Sequence, residues 1–169
     1  LGIAGILSCG IFAAISGSSI VTMVAIGAVM YPALREAGYG AHFGLGSIMA
    51  GGTLGIIIPP SIPLIIYGLV TETSIVDLFV GGVGPGLLLM SLMVGYTIWV
   101  NRDRSTQRLA PIEMRQVLRE GVWALLMPVV LLGGIYSGYF SVTESAGVAL
   151  FYALLVEFLV HREMTLSKL

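Results

Sequence analysis

Polar chemistry in this chain is concentrated in two short runs within otherwise apolar sequence. One is Ser16-Gly17-Ser18-Ser19, with Thr22 three residues on; the other is Ile58-Pro59-Pro60-Ser61. Hydrolysis or group transfer needs a nucleophile with a base, paired carboxylates or a His/Cys metal cluster. The apolar stretches hold none of these, so an enzyme is not expected. Cys9 stands alone among Ser8, Gly10 and Ile11, has no partner for a disulfide or a Cys-based metal site, and reads as packing. Glu157 lies four residues before His161, where it reaches water or pairs locally, and Glu144 follows Ser141 by three positions, the spacing of a capping box. His42 and His161 fall in charged flanks. What remains is coordination. Unwound carbonyls and the C-terminal ends of half-helices present oxygen to a small hard cation, while half-helix N-termini present N–H groups to an anion. The hydroxyls of Ser16, Ser18, Ser19, Thr22 and Ser61 add ligands. With no carboxylate at hand, Na⁺ is the expected ion rather than a divalent one, which would recruit Asp or Glu. No other cofactor is expected.

The elements that must hold these runs are read from the charges. Of 169 residues 57% are apolar, with 8 Lys+Arg and 9 Asp+Glu. No charged residue occurs in Leu1 to Leu34, Ala37 to Thr71, Leu78 to Asn101 or Gly121 to Thr143. Each gap exceeds the roughly 20 apolar residues that a spanning helix needs, so an all-α integral membrane protein is expected, in contact with the lipid bilayer. A net charge of −1 argues against nucleic acid as a partner. The chain has no initiator Met and starts inside an apolar segment, and is expected to be a fragment of something longer.

Residues 1–39 are predicted to form a helical hairpin, Gly2 to Ile15 and Ile20 to Leu34, because Ser16 to Ser19 favour a turn and each arm is short for a crossing. Such a hairpin would be re-entrant; one long kinked span is the alternative. Residues 40–71 are predicted to form a broken transmembrane helix. Pro59 and Pro60 lack an N–H and push Ile58 and Pro59 toward extended geometry, a break tolerated in a membrane only where protein or a polar cavity receives it. A kinked span without function is the alternative. Gly44, Ser47, Gly51 and Gly55 form a small-residue stripe on which the hairpin is expected to pack, bringing its tip near the break. After a loop from Glu72 to Asp77, Gly81 to Gly86 is read as leading into a transmembrane helix (78–101), with Pro85 near its start. Residues 102–120 carry five arginines and are read as a cytoplasmic amphipathic helix, or a solvated linker helix. This puts Arg35, Glu36 and His42 inside and Glu72 to Asp77 outside. Residues 121–163 would make two further spans, leaving 164–169 as a truncated tail.

Several runs together carry a family likeness. Gly17-Ser18-Ser19 through Gly27, Pro32 and Ala37-Gly38-Tyr39, then Gly52-Thr53-Leu54-Gly55, Ile58-Pro59-Pro60-Ser61 and Ile66-Tyr67-Gly68, resemble the large membrane subunit of tripartite ATP-independent periplasmic (TRAP) transporters, the DctM-like family. Gly138 to Ala146 is similar to that family's opening of a second repeat, with Ser145 where Ala is usual. The resemblance implies an elevator-type transporter of two inverted repeats in the bacterial inner membrane. A periplasmic solute-binding protein (DctP-like) would deliver an organic acid, a small membrane subunit (DctQ-like) would brace the scaffold, and a Na⁺ gradient would drive uptake. By position, Ser16 to Ser19 correspond to the first hairpin tip and Pro59 to Ser61 to the break in the next helix, together one Na⁺ site and half of the substrate site. A stand-alone Na⁺-coupled organic-anion carrier of related architecture, and a structural membrane subunit whose breaks serve packing, are the alternatives.

Overall fold

The computed structural model describes residues 1–102 and 114–158, giving for 114–120 the helical backbone only. Contacts divide the chain into two units, Leu1–Leu109 and Ala110–Leu169.

The first unit is built of helices α1 (Gly2–Ser16), α2 (Ser19–Glu36), α3 (Ala41–Gly52), α4 (Ile62–Thr71) and α5 (Ile75–Val100), with a 3-10 turn at Thr53–Ile56. α1 and α2 form the expected hairpin, and only Gly17 and Ser18 lie between them. Gly17 ends α1 with φ 60, a left-handed conformation that costs glycine little and an L-residue about 1–2 kcal/mol.

The small-residue stripe of α3 receives both arms. A Cβ on Gly51 would lie 2.8 Å from Cys9 Sγ, and one on Gly52 2.9 Å from Met23 Cβ. Gly44 faces the Tyr31 ring at 3.4 Å. α1 therefore runs parallel to α3 and α2 antiparallel to both. Ile6, Cys9, Ala13, Leu34, Ile48, Leu54 and Phe79 form the buried apolar core of this unit. Cys9 is fully buried in it, which agrees with packing.

α5 starts earlier than the sequence suggests. Ile75 opens the helix behind Ser74, and Pro85 lies in its interior. The reading of Gly81 to Gly86 as a lead-in is thus corrected. An apolar setting leaves the backbone no partner better than its own helical bonds, so glycines there permit close approach instead of ending the helix. α5 runs antiparallel to α1, with Met90 beside Gly10 and Thr97 beside Gly2.

Among the described residues, α2 (18 residues) and α5 (26 residues) are long and apolar enough to cross a membrane. Large apolar side chains cover the outside: Val29 is 70% exposed, Leu69 68%, Val70 78% and Trp99 68%. A surface of this kind is compatible with a membrane protein, whose outer face meets lipid or further protein.

In the second unit, α6 (Met114–Tyr136) runs unbroken past Gly121, and α7 (Val142–Val156) follows a tight turn. Gly138, with φ 75, closes α6: its N–H donates to Ile135 O and that of Tyr139 to Gly134 O. Tyr152 Oη donates to Trp123 O at 2.7 Å, tying the two helices together. The amphipathic reading of 102–120 falls, over 103–113, outside the described residues, as do His161 and the tail at 164–169.

Candidate functional site

The hairpin tip meets the helix break, as the small-residue stripe leads one to expect. Ile62 N–H donates to Gly17 O at 3.3 Å. A Cβ on Gly17 would sit 2.6 Å from Pro60 O, and one on Gly55 2.6 Å from Ser18 O. Two backbone interruptions are thus pressed together with no side chain between them, and any added methyl would part them.

Three of the five candidate hydroxyls, those of Ser16, Thr22 and Ser61, have local partners. Ser16 Oγ and Thr22 Oγ1 are hydrogen-bonded across 2.8 Å, bridging the end of α1 and the first turn of α2. Ser16 Oγ also lies 3.4 Å from the Ser18 N–H that donates to it. Thr22 is fully buried. Ser61, also fully buried, donates to Ile56 O at 2.7 Å, strapping the start of α4 to the end of the 3-10 turn. Ser18 and Ser19 are half-buried at the start of α2. Among the described residues no hydroxyl of the tip bonds to a hydroxyl of the break; backbone alone joins them.

The carbonyls of the break can be accounted for one by one. Leu54 O accepts from Ile57 N–H and Ile58 N–H, at 3.1 and 2.8 Å. Ile56 O accepts from Ser61. Ile57 O lies against α5, 2.7 Å from where a Cβ on Gly82 would be, and Pro60 O lies against Gly17. The carbonyls of Ile57, Ile58, Pro59 and Pro60 all lack a hydrogen-bond donor among the described residues. The Pro59-Pro60 peptide is cis, and Pro59 is fully buried.

Two helix N-termini converge here, α2 behind Ser18 and α4 behind Ser61, and neither serine side chain caps its helix. Pro63 brings no N–H to the first turn of α4. The junction therefore offers unclaimed carbonyl oxygen, hydroxyl lone pairs and helix-start amides without a charged side chain among the nine candidate residues. That combination suits a small cation and an anionic group held side by side.

Sequence reasoning missed the seat on α5, where Gly82 and Gly86 receive Ile57 and Ile58. Their four-residue spacing is the available signal, and Pro85 between them disguised it. Away from the junction, the capping box of α7 is formed as expected: Ser141 Oγ accepts from Glu144 N–H at 3.2 Å, and Glu144 Oε2 accepts from Ser141 N–H at 2.7 Å.

Over residues 1–169 the chain matches the family described as "Tripartite ATP-independent periplasmic transporter, DctM component". It is similar to the C4-dicarboxylate TRAP transporter large permease protein of Pseudomonas aeruginosa, 43% identical over 99% of this chain and 40% of that relative. An ectoine/5-hydroxyectoine TRAP transporter large permease protein of Ruegeria pomeroyi is 42% identical over 99% of this chain and 40% of its own length. The C4-dicarboxylate large permease protein of Rhodobacter capsulatus is 40% identical over 98% of this chain and 42% of its own length. All three are transporter permeases by name, not enzymes, and the chain spans about two-fifths of their length.

Proposed function

The chain belongs to the DctM component family of tripartite ATP-independent periplasmic transporters, and from that premise we propose that it forms the first-repeat half of a Na⁺-coupled organic-acid site in an elevator-type permease. The observation that carries this reading is the tip–break junction, where Gly17 O accepts from Ile62 N–H beside two helix starts that their serines leave uncapped. Na⁺ would be held by carbonyl and hydroxyl oxygen, with the unclaimed carbonyls of Ile58 and Pro59 and the hydroxyls of Ser16, Ser18, Ser19, Thr22 and Ser61 as the available set. The substrate carboxylate would lie toward the amides that open α2; at α4 the Ile62 N–H is taken by Gly17 O and Pro63 has none, which leaves Leu64 N–H.

Depth supports a re-entrant hairpin. Ile58 touches α5 at Gly86, about 17 Å along the helix from Ile75 and about 21 Å from Val100 at 1.5 Å per residue. If α5 crosses the bilayer, the tip and the break both lie near its middle, where irregular backbone persists only when it lines a cavity or packs on protein. The site would work in the bacterial inner membrane, beside a small membrane subunit and supplied by a periplasmic solute-binding protein. Relatives named for C4-dicarboxylate and for ectoine match this segment almost equally, at 43% and 42%, which supports reading it as machinery shared across substrates.

Uptake of labelled organic acids into proteoliposomes tests this, using the full-length permease and its small subunit, with and without an inward Na⁺ gradient and the binding protein. Uptake that needs both is expected. Uptake indifferent to Na⁺, or unchanged by Ser18→Ala, Ser19→Ala and Ser61→Ala, would overturn the assignment.

A further inference from the structure

We propose that Gly82 and Gly86 of α5 are positioning residues, which set the shape of the helix break and through it the Na⁺ affinity of the junction; this rests on the cation reading above. Four glycines of α5 lie within six residues, and only two of them touch the break. A Cβ on Gly82 would sit 2.7 Å from Ile57 O and 3.3 Å from Leu64 Cδ1, and one on Gly86 2.9 Å from Ile58 Cγ1. A Cβ on Gly81 or Gly84 meets nothing within 4 Å. Positions 82 and 86 share a helical face, so the two contacts form one continuous seat.

The seat acts through a rigid plane. Ile57 C=O and Ile58 N–H belong to one planar peptide. Its oxygen rests on Gly82 while its N–H donates to Leu54 O at 2.8 Å. That plane is therefore pinned on both edges, and its orientation sets the direction of the next carbonyl, Ile58 O, which is unclaimed among the described residues. A methyl on Gly82 collides with backbone, which no rotamer change can relieve. The plane must tilt, loosening the Leu54 bond and turning Ile58 O. α5 supplies no ligand itself; it decides which oxygens of the break stay turned away from the junction.

The test is Na⁺-dependent thermal stabilisation of the purified full-length permease, titrated with NaCl against choline chloride at constant ionic strength. Gly82→Ala is expected to raise the Na⁺ concentration giving half-maximal stabilisation about tenfold or more, the scale on which disturbed support acts at ion sites, and, because its methyl meets backbone, to lower the Na⁺-free melting temperature below those of Gly81→Ala and Gly84→Ala. Gly86→Ala moves the midpoint the same way by less, because its neighbour is a side-chain atom. A Gly82→Ala protein that melts lower without Na⁺ but keeps the wild-type midpoint has lost packing alone, and overturns the proposal. If Gly82→Ala is not recovered folded, an unchanged midpoint in Gly86→Ala overturns it equally. A wild-type permease that Na⁺ does not stabilise overturns the cation reading instead, and this inference with it.

Discussion

Among the described residues four helices open on a serine, and they fall into two pairs. Ser74 and Ser141 are exposed and cap their helices: Ser74 Oγ accepts from Asp77 N–H at 3.3 Å and Ser141 Oγ from Glu144 N–H at 3.2 Å. Ser18 and Ser61 are half-buried and fully buried, and neither caps. Their backbones nearly coincide, φ −136 and ψ 128 against φ −126 and ψ 126, whereas the capping pair have φ −56 and −70. The Ser61 hydroxyl is turned back to Ile56 O instead of to the amides of its own helix. A serine that closes its helix is structural; one that leaves the helix start open, at a point where a second open start meets it, leaves amides and lone pairs for something else to take up.

Substitutions at the junction should therefore cost transport, and those at the caps stability. The largest effect is expected at Gly17, where alanine brings both a left-handed backbone penalty and a methyl 2.6 Å from Pro60 O. Gly17→Ala should cut Na⁺-driven uptake about a hundredfold, the usual cost of a displacement near 1 Å at a positioned site. Wild-type uptake by that variant would remove the tip from the site. Ser61→Ala comes next: it takes away a candidate ligand and the part-buried bond to Ile56 O, a loss of about 1 kcal/mol. Uptake should fall about tenfold or more, with a raised half-saturating Na⁺ concentration measured in the same vesicles.

The caps should behave oppositely. Ser141→Ala is expected to lower stability by about 1 kcal/mol, read as thermal unfolding of the permease, with its Na⁺ midpoint unmoved. Ser74→Ala is the smallest change, about 0.5 kcal/mol, since a single exposed bond is lost. A shifted Na⁺ midpoint in either variant would erase the distinction between the pairs.

Much of this division was legible beforehand. Ser16 to Ser19 marked the hairpin turn because small polar residues between apolar arms have few other uses, and the helices end within two residues of the expected limits. Gly44, Gly51 and Gly55 announced a close helix contact because only small side chains let backbones approach. Two things were hidden. Pro85 among four glycines and a valine reads as a helix opening, yet α5 passes through it; Gly82 and Gly86 receive the break lying across them, a contact between residues some 25 positions apart. Ser61 looked like a free ligand, and its proton is committed to Ile56 O because the chain doubles back through Pro59 and Pro60. Both facts depend on where the chain returns, which local spacing does not encode.

The most direct measurement is hydrogen–deuterium exchange of the full-length permease in Na⁺ against choline at equal ionic strength, followed by peptide. Slowed exchange is expected in peptides covering residues 15–22 and 56–64, with none at 74–77 or 141–145. Protection at the capped starts as well as the uncapped ones, or at neither, would contradict the account.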